Sequence, residues 1–163
     1  MIVKDCLKDV ITVKPSTTIL ELAKLIIEKR IGTIPVVDDT GNLIGVVRLT
    51  DVLKVFMPNF VSIIDNIDFV VKFGSLEDLH FKDIPEKAGL TMKEIMGKPL
   101  FVSEECGLLR AFSIMDKHNF LDLLVVNSEG KLTGIASRVD IAAGFLKACM
   151  DENTCNGEGS QDT

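Results

Sequence analysis

Histidine is scarce in this chain of 163 residues. His80 and His118 are the only two, and neither stands beside a nucleophile or at a metal-ligand spacing, which removes the commonest participants in acid–base and nucleophilic catalysis. His118 falls near the end of a helical pattern, where a surface or helix-dipole role accounts for it. The phosphate loops of NTPases and dehydrogenases, G-x-x-x-x-G-K-[ST] and G-x-G-x-x-G, are both missing. Glu104 and Glu105 are adjacent, so they read as turn residues rather than as an acid and base flanking one substrate bond. The four cysteines, Cys6, Cys106, Cys149 and Cys155, form no C-x-x-C and have no histidine pair nearby, so a zinc site is not indicated. They read as reduced thiols of a cytoplasmic protein. These absences argue against an enzyme and against a catalytic cofactor or metal.

Clustered basic residues are lacking as well. The formal net charge is -6, and nucleic-acid binding draws most of its affinity from Lys and Arg patches, so no nucleic-acid partner is expected. No basic segment followed by an apolar stretch opens the chain between Met1 and Asp5, and secretion is not indicated. The most apolar stretch, Phe60 to Phe73, is broken by Asp65, Asn66, Asp68 and Lys72. It falls short of the ~18 apolar residues needed to span a bilayer, and direct membrane insertion is not expected. What remains is 47% hydrophobic and 26% charged residues, a globular balance with enough apolar side chain for a sizeable core.

The chain is an internal repeat. A shift of 89 positions without a gap lays Val13 on Val102, Leu20 on Leu109, Val36-Val37 on Val125-Val126 and Gly41 on Gly130. It also lays Leu43 on Leu132, Gly45 on Gly134 and Asp51 on Asp140. Each copy reads as β-α-β-β-α. In the first, Val10 to Val13 is a short strand, and Thr18 with Glu21 is a capping box that starts a helix at Ile19. Ile19, Leu22, Ala23 and Ile26 form its apolar stripe, and Gly32 reads as its stop signal. Strands follow at Ile34 to Val37 and Leu43 to Arg48 around a turn at Gly41, then a helix from Thr50 that must end before Pro58. The second copy gives a strand near Leu100 to Val102 and a helix from Gly107 to His118. Strands at Leu123 to Asn127 and Leu132 to Ser137 come next, and then a helix from Asp140.

The expected organisation is a first repeat over 1–55, an inserted helical segment over 56–90, a second repeat over 91–148 and a disordered tail over 149–163. Phe60, Ile63, Ile64, Ile67 and Val71 recur at helical spacing in the insertion, which reads as a helix packed on the repeats or as a docking surface. The tail has no apolar residue after Asp151 except Cys155, too little to offset the entropy of ordering.

In both copies a glycine opens the segment that ends the last strand, Gly45 to Asp51 and Gly134 to Asp140, and an aspartate opens the helix that follows. A helix N-terminus offers free amides and a field that favours phosphate. An aspartate there either caps the helix or accepts hydroxyl hydrogen bonds from a ribose. Ser137, three residues before Asp140, is placed to cap or to donate to the same ligand.

These marks resemble the CBS (cystathionine β-synthase) domain family, whose units occur in tandem as a Bateman module. The resemblance is carried by Ile34-Pro35-Val36-Val37-Asp38, Gly41, and Gly45-Val46-Val47 with Asp51. The second copy supplies Leu123-Leu124-Val125-Val126 and Gly134-Ile135-Ala136-Ser137 with Asp140. It implies an α/β (α+β) fold of two β-α-β-β-α repeats related by a pseudo-twofold axis. It also implies clefts for an adenine nucleotide (AMP, ADP or ATP) or another adenosyl compound as a regulatory ligand.

By that resemblance Asp140 binds the ribose hydroxyls and Arg138 lies near phosphate. Gly134, Ile135, Ala136 and Ser137 form the rest of the motif, and Ile11, Ile31, Gly32 and Pro35 surround the base. A possible second site involves Arg48, Thr50 and Asp51 with Leu100, Phe120, Leu121 and Leu124, but Arg48 stands where the family has Ser or Thr. The function implied is non-catalytic adenine-nucleotide sensing by a homodimer, signalling by conformational shift. The alternative is a ligand-free scaffold that dimerises or docks on a partner enzyme or transporter.

Overall fold

Thr18 and Glu21 start the first long helix as a reciprocal pair. The Glu21 amide donates to Thr18 Oγ1 at 3.3 Å, and the Thr18 amide donates to Glu21 Oε2 at 2.7 Å. That backbone bond, with a second from the Thr18 hydroxyl, holds the Glu21 carboxyl below the ordinary carboxylate range. The computed structural model describes residues 1–56 and 87–156. The stripe from Phe60 to Val71 on which the inserted helix was inferred, together with Pro58, lies outside the described residues, as does the tail beyond residue 156.

The described elements are a 3-10 turn at Val3–Cys6, α1 at Ile19–Lys29, β1 at Thr33–Val37, β2 at Leu43–Arg48 and α2 at Leu49–Phe56. After the insertion come α3 at Met92–Ile95, β3 at Phe101–Ser103, α4 at Leu108–Lys117, β4 at Asp122–Val126, β5 at Leu132–Ser137 and α5 at Arg138–Asn156. This is the tandem helix–strand pattern expected from the repeat. Both hairpin turns use glycine with positive φ, 87° at Gly41 and 79° at Gly130, a conformation that a Cβ disfavours. Three boundaries differ from the sequence reading. α1 stops at Arg30, not at Gly32, with the left-handed cap formed by a non-glycine residue at φ 56° whose amide donates to Ile26. The strand expected over Val10 to Val13 reduces to Val13 alone, and Pro15, which has no N–H to give, follows two residues later. α5 runs to Asn156, so the helix continues eight residues into the segment, 149–163, expected to lack structure.

The chain divides into two compact units that do not coincide with the contiguous repeats. One comprises Thr12–Asp39 and Ile44–Lys98. Its sheet sets Val13 parallel to β1 through Val36, β1 beside β2, and Gly97 antiparallel to β2 through Val46. Its core is Val13, Ile19, Leu22, Ile34, Val36, Val47, Val52 and Met92.

The other unit comprises Met1–Ile11, Thr40–Leu43 and Pro99–Thr163. Here β3 pairs parallel with β4, and β4 pairs antiparallel with β5 in the register Leu123 to Ala136 and Leu124 to Ile135. Lys8 extends the sheet antiparallel to Ile135. Val3, Val102, Leu108, Ala111, Met115, Leu123, Val125, Ala136 and Ile141 fill the core.

Each sheet is therefore completed by the segment that opens the other repeat. Val3, at the opening of the first repeat, is buried with the second repeat, and Met92, at the opening of the second, is buried with the first. The glycines that open β-strand segments of the motif have a packing reason in this arrangement. A Cβ on Gly134 would lie 2.9 Å from the Lys8 carbonyl oxygen, and one on Gly45 would overlap the Met96 side chain.

Candidate functional site

β5 ends at Ser137 and α5 begins at Arg138, so the turn between them fixes Ser137 and Asp140 against each other. Asp140 Oδ2 accepts the Ser137 amide at 3.0 Å and the Ser137 hydroxyl at 2.5 Å, while the Asp140 amide donates to Ser137 Oγ at 3.2 Å. Two donors saturate Oδ2. The other oxygen, Oδ1, faces the ammonium of Lys8 at 2.6 Å. Of the two readings left open for Asp140, the helix cap is made by one oxygen, and the second oxygen points to a solvent-facing cation. Because the only Ser137 proton goes to Asp140, a ligand bond from Ser137 requires that hydroxyl to turn.

Asp140 is sheltered, its side chain keeping 15% of its accessible surface, whereas Lys8 keeps 66%. Burial by itself raises the Asp140 pKa. The hydrogen bonds from Lys8 and Ser137, with the Lys8 charge, outweigh it and hold the carboxyl below its ordinary value. The carboxylate is thus charged at neutral pH.

Lys8 was not found by sequence reasoning. By chain order it lies in the opening segment of the first repeat, and only the exchange of opening segments brings it to the second. Its backbone is fixed there, its amide donating to the Ile135 carbonyl at 2.9 Å and its carbonyl accepting the Ile135 amide at 3.1 Å. The repeat shift itself was the signal available, because it aligns Lys8 with Gly97 and Ile135 with Val46, the two bridge pairs of the sheets.

Arg138 is turned away from the Ser137–Asp140 pair. Its Nη2 donates to the Met115 carbonyl at 3.1 Å in the last turns of α4, where a cation complements the helix field. Nε is buried without a partner. A phosphate contact by Arg138 therefore requires the guanidinium to leave α4. Ala136 is fully buried in the core, Gly134 is buried under Lys8, and Ile135 is half-buried. Ile11 belongs to the same unit and is half-buried. Ile31, Gly32 and Pro35 belong to the other unit, where Pro35 is buried in β1 and its carbonyl accepts the Val13 amide at 3.1 Å. The Gly32 carbonyl accepts the Leu49 amide at 2.8 Å.

The corresponding turn of the first repeat keeps half of this design. Asp51 Oδ2 accepts the Arg48 amide at 2.9 Å, but Arg48 brings no hydroxyl, and the exposed Thr50 follows it in α2. Gly97 occupies the position equivalent to Lys8, so no cation enters from that register. Leu100, Phe120, Leu121 and Leu124 lie in the unit of the second repeat. Leu124 is buried in β4, Leu121 is 70% exposed, and Phe120 stacks on His118 with ring centroids 5.9 Å apart.

Among the described residues no three His, Cys, Asp or Glu side chains group as metal ligands, and no helix is long and apolar enough to cross a membrane. Compared with known proteins, the chain matches the CBS domain family over residues 3–58 and again over 92–147. It belongs to that family. Among curated relatives it is similar to the chloroplastic CBS domain-containing protein CBSX2 of Arabidopsis thaliana, with 30% identity over 83% of this chain and 58% of that protein. The chain thus spans less than two thirds of that relative.

The structure of CBSX2 in complex with AMP superposes with a TM-score of 0.67 and 28% identity, over 90% of this chain and 97% of that one. The CBS domain pair of protein MJ0100, in complex with 5′-methylthioadenosine and S-adenosyl-L-methionine, has a TM-score of 0.63 over 91% of this chain and 98% of that one. Its identity is 24% and expresses a shared fold. The tandem CBS architecture expected from the motifs is thereby established.

Proposed function

We propose that this CBS pair is a non-catalytic regulatory protein that binds an adenosyl ligand, with the ribose hydroxyls on Asp140. The observation that carries the reading is the division of labour within that carboxylate. Oδ2 is locked to Ser137 and fixes the group in place, while Oδ1 faces a solvent-exposed ammonium that a hydroxyl pair can displace. A preorganised acceptor costs a ligand little ordering. The AMP in the CBSX2 complex supports this ligand class.

Regulation requires that the ligand bind two conformations with different affinity, because equal binding shifts no equilibrium. A homodimer is the assembly we favour, since Leu109 and Phe112 on α4 and Phe145 and Leu146 on α5 are exposed apolar side chains of one unit. The cytoplasmic expectation widens to any reducing compartment. Cys6, Cys106 and Cys149 are free thiols, and the similar CBSX2 is named chloroplastic.

Calorimetric titration with AMP, ADP, ATP and S-adenosylmethionine tests the reading, using protein whose small molecules have been released and identified by mass spectrometry. Saturable heat with at least one of them, weakened tenfold or more by Asp140→Ala, is the expected outcome. A ligand-free protein that gives no heat with any of them leaves the scaffold that docks on an enzyme or transporter as the better account.

A further inference from the structure

Lys8 stands at the Asp140 carboxylate by construction. Two backbone hydrogen bonds to Ile135 hold its main chain, and Gly134 leaves room for its carbonyl, which a Cβ there would approach to 2.9 Å. The side chain is largely exposed, and its ammonium meets Asp140 Oδ1 at 2.6 Å. Only the ammonium end of the pair is open to solvent, the carboxylate being sheltered, so the long lysine stem can swing away and be replaced at Oδ1 while the anchored backbone keeps the charge close by. Arg138, the neighbouring cation, is engaged with the Met115 carbonyl. At the sheet of the first repeat the equivalent position is Gly97, beside Val46, so the lysine is particular to the Asp140 site.

We propose that Lys8 makes the Asp140 site selective for phosphorylated adenosyl ligands over neutral adenosine. The inference rests on the ligand reading above. A ribose that takes Oδ1 must first displace the ammonium, which counts against every ligand equally. A ligand carrying a phosphate regains that loss, because the displaced ammonium, on a flexible stem, becomes a free donor and charge for the phosphate. A neutral nucleoside regains nothing. Removing the charge while keeping the stem therefore affects the two ligands in opposite directions: AMP binds more weakly and adenosine binds at least as well.

The test compares dissociation constants for AMP and adenosine in the wild type, Lys8→Met and Lys8→Arg, with thermal melts to establish that each variant is folded. Lys8→Met is expected to cut the preference for AMP over adenosine by about five- to tenfold, the effect of one unit charge several ångströms away under partial screening. Lys8→Arg keeps most of the preference. A preference in Lys8→Met within twofold of the wild type overturns the inference and leaves ligand binding intact. An equal loss in Lys8→Arg and Lys8→Met also overturns it, since charge would then not be the cause. Failure of the wild type to bind either compound overturns this inference, and the ligand reading falls with it only when ADP, ATP and S-adenosylmethionine also give no heat.

Discussion

Gly134→Ala and Gly45→Ala make the same change at equivalent places in the two repeats, and the structure predicts different costs. At Gly134 the new methyl lies 2.9 Å from the Lys8 carbonyl oxygen and 3.4 Å from Leu7 Cβ. The obstacle is backbone, and it is held by the Ile135 amide at 3.1 Å. Making room means moving the bridging segment, which weakens both Lys8–Ile135 hydrogen bonds at about 1 kcal/mol each. That falls within the ~1–3 kcal/mol typical of overpacking.

At Gly45 the methyl meets the Sδ and Cγ atoms of Met96, with Cβ at 3.1 Å, and an unbranched thioether chain re-rotates at little expense. Both variants gain about the same ~0.4–1 kcal/mol from the stiffer unfolded chain. The net expectation is a loss of roughly 1–2 kcal/mol for Gly134→Ala and close to none for Gly45→Ala. At about 2–4 °C per kcal/mol for a chain of this size, the two melting temperatures should differ by some 2–8 °C. Hydrogen exchange should show faster loss of protection at the Lys8 and Ile135 amides in Gly134→Ala alone. If Gly45→Ala melts as low as Gly134→Ala, the contrast between rigid backbone and movable side chain is refuted.

Arg30→Gly should raise the melting temperature by a few degrees, since a left-handed non-glycine residue costs about 1–2 kcal/mol and glycine does not pay it in full. An unchanged or lower value means that the Arg30 side chain contributes more than its φ of 56° costs. Asp140→Asn tests the charge of the capping carboxylate. Because the folded pKa lies below the unfolded one, its contribution is present above the ordinary carboxylate value and is lost as pH falls through the folded value. Urea unfolding should find the wild type more stable than the variant by up to ~1 kcal/mol at pH 7. That gap should narrow as pH falls below the ordinary carboxylate value of about 4, and a gap that does not change with pH would show that charge is not responsible.

The elements were legible because their signals are local. Thr18 and Glu21 sit three residues apart, Gly41 and Gly130 mark their turns, and the hydrophobic stripe of α1 lies in a single window. The helix stop was misplaced for the same reason, since Arg30 adopts a conformation for which glycine is the usual marker and Gly32 was nearby. Sheet completion was not legible. Lys8 pairs with Ile135, more than a hundred residues away, and nothing in a window around either residue specifies the other. The role of Gly134 was hidden with it. Read along the chain, that glycine opened a ligand motif; in the fold, it admits a backbone that carries a lysine to the carboxylate.

The exchange of opening segments also explains how two copies of one unit acquire different chemistry without altering the motif itself. Each Asp is set by its own strand and helix, and in both repeats one carboxylate oxygen accepts the amide three residues earlier. The neighbouring sheet position comes from the opening segment of the other repeat, which makes its sheet contact through backbone, at Lys8 or Gly97, and leaves the side chain there unconstrained by the pairing. A lysine in one such segment and a glycine in the other give one charged-partnered Asp and one without that partner. A difference in ligand preference between the repeats therefore needs only one residue outside either motif, which is why a motif comparison that focused on Arg48 against Ser137 identified only part of the asymmetry.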